Sequence, residues 1–325
     1  MSTVGINSMY LRKANKKTIL SIIRDHRVSR SDIARMTGLT KPAVSAIVDS
    51  LIQMGYVEEV SPTQAPSRGR HPRKLVLKQD SYFAMGVNIY RDNCIAGVSD
   101  MTGRLVKSCR VDIDDLLPGS AVKAIYRCFA DLQASQGIPP DRILGIGVSV
   151  PGPVNTLTGE ILNPPNFTRW HNVNVIRLFK RHCDCPVFVE NDATAYALDE
   201  NLFGHGRRFG NYIMLVLADG VGSSSILHGE PLRGRHGLNP EIGHVSIDLH
   251  GEACICGNRG CLELYTSIPR IVEKARATGL PVDSWNDIVD RAMAGDAHCR
   301  SIVSEEAEYL AFAIENLVNI FAPEA

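Results

Sequence analysis

Three cysteines and a histidine carry the most specific chemistry in the sequence. Cys254, Cys256 and Cys261 share one Gly-containing loop, and His244 lies ten residues upstream of the first. Three soft thiolates and an imidazole make a closed tetrahedral Cys₃His set for Zn²⁺, and each ligand must be deprotonated to bind. Four protein ligands leave no position for an activated water, so the expected zinc is structural. It would pin the loop that also carries Glu241 and Glu263. A second pair, Cys183 and Cys185, has no His and no third Cys close by and reads as incidental. Nine cysteines, an odd number, in a 325-residue chain favour a reducing cytosol, where close Cys spacings mean metal rather than disulfides. The expected location is the cytoplasm.

A second chemistry is electrostatic. Formal net charge is zero, but residues 1–80 hold 14 Lys/Arg against 6 Asp/Glu, and the remainder holds 21 against 29. A basic head of net +8 is the footprint of a polyanion partner, and the body would repel one. The elements that must present this charge read as three helices over 9–57. The first runs roughly Met9–Asp25, with a stripe of Leu11, Ile19, Ile22 and Ile23. The second, Arg30–Met36, buries Ile33, Ala34 and Met36 after a Ser29 N-cap, and Gly38 makes the turn. Thr40 caps the third, and Pro42 suits its first turn. Val44, Ile47, Val48, Leu51 and Ile52 follow at i, i+3, i+4, i+7 and i+8, one buried face. Small and polar residues on the opposite face let such a helix enter a major groove. Residues 58–78 then read as a wing that doubles as linker, with Arg68 and Arg70 on a flexible tip suited to a narrow minor groove. The residues expected to face double-stranded DNA are Ser29, Arg30, Thr40, Lys41, Pro42, Ser45, Arg68 and Arg70.

Hydrophobic and charged fractions of 44% and 22% are those of a globular protein. The longest apolar runs are far too short for a membrane span, and the start lacks the apolar core of a signal peptide. From residue 82 the pattern turns to short Val/Ile-rich strands, Tyr82–Ile89, Cys94–Asp100 and Arg104–Val111. A helix over Ala121–Gln136 and a buried strand over Ile143–Val150 follow. This βββαβ order opens an actin-like, ribonuclease-H-like lobe. The expected domains are 1–80 (head), 81–190 (first lobe) and 191–325 (second lobe with the zinc loop).

Further motifs resemble the ROK family of repressors, open reading frames and sugar kinases, over essentially the whole chain. They are GVSVPGPV at 147–154, NPPNFTRW at 163–170, VENDATAYALDE at 189–200, EIGH at 241–244 and the CxC loop ending in Glu263. The resemblance implies a winged helix-turn-helix followed by a two-lobed sugar-kinase fold. It implies sugar-hydroxyl contacts by Asn191, Asp192, Glu241, His244 and Glu263, and in kinases Asp192 would be the general base. Carboxylates and an amide suit that task, because a missing hydroxyl would strand a buried polar group.

The sequence departs from the family's kinases in both phosphate loops. Asn88, Tyr90 and Arg91 stand where Asp and two Gly are usual, and Asp219 puts a negative charge where a triphosphate should lie. No catalytic residue is therefore expected. A third departure is the stop at Phe321–Ala325, where family members continue through a strand, a Gly-Gly turn and closing helices; this reads as a C-terminal truncation of the fold. The leading expectation is a cytoplasmic transcriptional regulator, a repressor released from its operator by a sugar or sugar phosphate. It would act as a homodimer or dimer of dimers, without membrane insertion. The alternatives are an ATP-dependent sugar kinase that carries a DNA-binding head, and a regulator whose body senses a protein.

Overall fold

The structure is a computed structural model and describes residues 8–61, 73–91, 93–112, 117–165 and 167–325. Three helices open the chain: α1 (Ser8–Asp25), α2 (Arg30–Thr37) and α3 (Lys41–Gln53). Their core holds Ile19, Ile23, Ile33, Val44, Ile47, Val48 and Leu51, so the periodic stripe of α3 is buried as its spacing requires. Burial of each such aliphatic side chain contributes about 1.5–3 kcal/mol. Two expected core residues lie outside it. Leu11 and Met36 are exposed. Each sits towards one end of its helix, beyond the reach of the three-helix core.

Strands β1 (Val57–Val60) and β2 (Lys74–Leu77) pair antiparallel, with Val57 opposite Leu77 and Val60 opposite Lys74. Val57 and Leu75 turn into the helical core, which fixes the root of the wing. The tip with Arg68 and Arg70 lies outside the described residues. Ser29 begins α2 with a capping box: its hydroxyl accepts from the Asp32 N–H, and its own N–H donates to the Asp32 carboxylate. Lys74 of β2 and Arg35 also reach that carboxylate. The backbone N–H of Ser29, then its hydroxyl, then Lys74 hold the Asp32 carboxyl well below the usual range. Ser29→Ala is expected to lower stability by about 1 kcal/mol, measured as an earlier urea midpoint with an unchanged slope.

The next elements are β3 (Phe83–Ile89), β4 (Cys94–Asp100), β5 (Leu105–Val111), α4 (Pro118–Gln136) and β6 (Ile143–Val150). With β10 (Val187–Asn191) the strands form a sheet ordered β10-β6-β3-β4-β5. Between β6 and β10 lie three two-residue strands, β7 (Val154–Asn155), β8 (Glu160–Ile161) and β9 (Val173–Asn174), followed by α5 (Val175–Phe179). Cys109 on β5 and Cys128 on α4 form a disulfide. That pair departs from the expectation of metal rather than disulfides. A sequence separation of 19 residues carries no spacing signal; the packing of strand and helix brings the two together.

Helix α6 (Asp192–Leu202) packs on β11 (Tyr212–Leu217) and β12 (Val221–Leu227), and β13 (Glu230–Pro231) completes that sheet. Helices α7 (Glu263–Thr266), α8 (Ile268–Ala277), α9 (Trp285–Met293) and α10 (Ala297–Phe321) end the chain. Helices α8, α9 and α10, with Val282 between the first two, share a core of Ile271, Val272, Ala275, Val282, Ile288 and Cys299. Packing divides the chain into two units. One holds Met1–Gly86, Ala96–Cys109 and Arg127–Ile146; the other holds Val87–Ile95, Arg110–Tyr126 and Gly147–Ala325. No helix among the described residues is long and apolar enough to cross a membrane.

Candidate functional site

The cysteine loop folds back on itself through two isolated bridges, Ser246 with Cys261 and Ala253 with Arg259. Gly260, at φ +58°, allows the close approach, since a Cβ there would strike the Asp248 carbonyl. The loop brings the ligand atoms of His244, Cys254, Cys256 and Cys261 within 4.8 Å of one another. His244 Nδ1 lies 3.7 Å from Cys254 Sγ, and Cys256 Sγ lies 3.7 Å from Cys261 Sγ. A tetrahedral zinc with Zn–S bonds of about 2.3 Å sets its sulfurs about 3.8 Å apart, so the four residues fit the ion. Burial pushes the Cys261 thiol up to about 12, so a metal must displace a tightly held proton there.

Asn191, Asp192, Glu241, His244 and Glu263 line one cavity of about 130 Å³, within the second unit. Each is placed by local structure. Asn191 ends β10 and caps α6, its Oδ1 accepting from the Thr194 N–H at 3.2 Å. Asp192 opens α6, and its Oδ1 accepts from the Ala193 N–H at 2.8 Å. Glu263 opens α7, and its Oε2 accepts from the Val221 N–H at 2.9 Å. His244 lines the cavity as well as the cysteine cluster. With Nδ1 facing Cys254, the remaining ring nitrogen is left for a second partner.

Like charges crowd this cavity. Surrounding protein raises the Asp192 carboxyl, and Arg91 opposes that. Glu241 opens onto the cleft, yet the walls displace enough water to push its carboxyl up to about 7, with Asp192 and Glu263 adding to the rise. Gly152 closes one side. A Cβ there would lie 2.7 Å from Asn191 Nδ2 and 3.2 Å from Glu241 Oε1. Gly152→Ala is therefore expected to displace the Asn191 amide; on the expectation that the cavity takes a sugar and the head an operator, it weakens sugar binding at least tenfold and leaves operator binding by the sugar-free protein in place. Calorimetric titration with a sugar and a gel shift without it check the two halves.

The residues at the two phosphate-loop positions meet other side chains. Asn88 Nδ2 donates to Tyr196 Oη at 3.2 Å, and the Tyr90 and Tyr196 hydroxyls lie 3.1 Å apart. Arg91 pairs with Asp219 at 3.7 Å. Tyr196 went unnoticed in the sequence, although it stands four residues after Asp192 on α6 and so shares its helix face. Gly152 was likewise unnoticed, because only the folded chain shows what a side chain there would meet.

In the head, Thr40 caps α3, its hydroxyl accepting from the Ala43 N–H at 3.4 Å. Lys41 and Pro42 are exposed and Ser45 is half-buried on the same helix. Ser29 is a correction to the expected DNA-facing set. It is 3% exposed, and its hydroxyl is committed to the capping box, so it serves the helix rather than a ligand. Arg30 is held by Asp49 at 2.7 Å and Glu59 at 2.9 Å, which offsets much of its charge towards phosphate.

Comparisons with known proteins agree with both parts. Residues 13–68 match the MarR family and residues 85–325 match the ROK family. A xylose repressor of Bacillus spizizenii is 29% identical over 97% of this chain and 82% of its own length. A crystal structure of a ROK family transcriptional regulator, a homologue of the E. coli MLC protein, superposes with a TM-score of 0.84. It is 27% identical over 97% of this chain and 82% of that one. A ROK family glucokinase from Streptomyces griseus, in complex with glucose and AMPPNP, is also 27% identical, with a TM-score of 0.65. That match covers 74% of this chain and 80% of the glucokinase. A helix-turn-helix head thus precedes a sugar-kinase-like α/β body, and since the ROK match takes in most of the sequence, the chain belongs to the ROK family.

Proposed function

We propose that this chain is a sugar-responsive DNA-binding transcriptional regulator, a repressor that leaves its operator when a sugar or sugar phosphate binds. One observation carries the reading. The Asn, Asp, Glu, His and Glu of the family's sugar set line one cavity, while Arg91 and Asp219 pair with each other at the positions of the two phosphate loops. Phosphoryl transfer depends on backbone amides and cations aimed at phosphate and metal. Asn88 and Tyr90 instead meet Tyr196, and Asp219 adds negative charge. The body is accordingly read as a sensor rather than an enzyme.

The functional parts are 1–80 for DNA, 81–190 and 191–325 for the two lobes, and the Cys₃His set as a structural zinc site. When bound, zinc would supply a crosslink that holds His244 and the start of α7. DNA contacts are assigned to Thr40, Lys41, Pro42, Ser45, Arg68 and Arg70, with Arg30 contributing what its two carboxylates leave free. A symmetric operator calls for a homodimer or dimer of dimers. Linkage gives the sign of regulation: a ligand that favours the geometry unable to bind DNA weakens operator binding by the same factor that DNA weakens the ligand.

A gel shift at low salt tests the reading. Binding that is reversed by one member of a sugar and sugar-phosphate panel is expected, with xylose first because a relative is a xylose repressor. Absence of operator binding at low salt overturns it. The kinase reading rests on Asp192, placed in the cavity with a raised carboxyl suited to a base. ATP turnover across a hexose panel that disappears in Asp192→Asn would establish it; no turnover on any sugar, with no ATP-induced rise in melting temperature, removes it.

A further inference from the structure

Helices α7, α8 and α10 enclose a second cavity of about 150 Å³ that shares no lining residue with the sugar cleft. Its wall includes Tyr265, Ile271, Lys274, Ile302, Glu306 and Tyr309. Glu306 is 8% exposed, and its Oε2 is buried without a hydrogen-bond partner. The nearest cation does not pair with it: the Lys274 ammonium lies over the Tyr265 ring, 4.9 Å from the centroid. The two phenols are also committed, Tyr265 donating to Asp248 at 3.2 Å and Tyr309 to Glu305 at 3.1 Å. Glu305 and Glu306 thus face the cavity, and Lys274 also lines it without an ion pair to either among the described residues.

A buried carboxylate without a partner is costly, and it is relieved either by taking a proton or by gaining a cation. The walls decide which cation fits. Alkaline-earth ions take about six or more oxygen ligands or keep a shell of water, and the apolar part of this wall favours neither. Ile271, Ile302 and two tyrosine rings supply apolar surface and π faces, which suit a carbon-bearing cation. We propose that this cavity binds a small organic cation, an alkylammonium or alkylguanidinium. Its charged head pairs with the Glu306 carboxylate, and its stem packs on Ile271, Ile302 and the tyrosine rings. The site is independent of the sugar cleft and of the reading given to that cleft.

The titratable groups that face Glu306 are Lys274 on α8, Tyr265 on α7, and His298, Glu305 and Tyr309 on α10. Burial pushes the Glu306 carboxyl up to about 7, with Lys274 opposing and Glu305 adding. A folded-state value above the unfolded one means that the folded protein keeps a proton through the range up to 7. Only the ionised form pairs with the ligand, so cation affinity rises with pH across that range.

The test titrates the full chain with ethylammonium and with ethylguanidinium at constant ionic strength, using 1-propanol and potassium chloride as controls. Thermal unfolding is the readout. A saturable rise in melting temperature with either organic cation is expected, with an apparent affinity about tenfold lower at pH 6 than at pH 8. Glu306→Gln is expected to abolish the response while zinc content and circular dichroism stay as in the parent. Ser301→Trp, at an exposed position on the cavity rim, blocks entry without altering Glu306, and it decides the matter should Glu306→Gln not fold. The proposal is overturned by the absence of a saturable shift, by an equal shift with propanol or potassium, or by an undiminished response in either folded variant.

Discussion

Cys256→Ser is expected to abolish stoichiometric zinc and to lower the melting temperature by roughly 10 °C or more. The size follows from linkage between metal and folding. Structural zinc contributes about 10–16 kcal/mol of apparent binding energy in small peptide sites. If a larger body retains even about 3–5 kcal/mol of that, a shift near 10 °C follows at about 2–4 °C per kcal/mol. Cys256 is the informative ligand because it is exposed, so its replacement opens no core cavity. Its sulfur lies 3.7 Å from Cys261, so Ser removes one corner of the tetrahedron and little else. The damage should spread to the proposed sugar site, because His244 lines both the cluster and the cleft. Metal content by plasma mass spectrometry and a melting curve read the outcome. Unchanged zinc with an unchanged curve would refute the site, and a chelator should reproduce the variant's phenotype in the parent protein.

Ala46→Glu is expected to weaken operator binding a hundredfold or more and to leave folding almost untouched. Ala46 is exposed on α3, on the face opposite Val44, Ile47, Val48 and Leu51. Glu is a good helix former, and an exposed substitution of this kind stays within about 0.5 kcal/mol of the parent. At the DNA surface the same change adds bulk to a small-residue face and sets a carboxylate against phosphate and base edges. Log affinity of the parent should fall linearly with log salt. Fluorescence anisotropy across a salt series reads both effects. Parent-like affinity in Ala46→Glu would place the DNA elsewhere on the head.

The head was legible because its signals are local. The i, i+3, i+4 spacing in α3, the caps at Ser29 and Thr40 and the turn at Gly38 are each decided within a few residues. Leu11 and Met36 failed for the complementary reason. A helix stripe says which side faces inward, and it does not say where along the helix the core ends. The Cys₃His cluster was equally readable, since its three cysteines lie within eight residues and one turn of chain suffices to gather them. Ser29 shows the limit of residue type as evidence: a serine hydroxyl suits a phosphate and a helix cap alike, and only its burial decides between them. The Cys109–Cys128 pair and the unpartnered Glu306 left no trace in spacing, because both arise from the packing of elements distant in sequence.

The hydrogen bond from the Val221 N–H to Glu263 Oε2 bears on whether the cleft could take a nucleotide. Val221 belongs to the loop that in kinase relatives would hand its amides to phosphate, and here a carboxylate has taken that amide. Gly220 is hemmed in by the same group, since a Cβ there would lie 2.6 Å from Glu263 Oε2. Placing glycines at Tyr90 and Arg91 and an aspartate at Asn88 would therefore still leave a nucleotide competing with a resident anion. Replacing Glu263 to clear the way would remove a member of the sugar set. On the proposed reading, nucleotide and sugar therefore make opposing demands on one carboxylate: freeing the Val221 amide for a phosphate takes Glu263 away from the sugar.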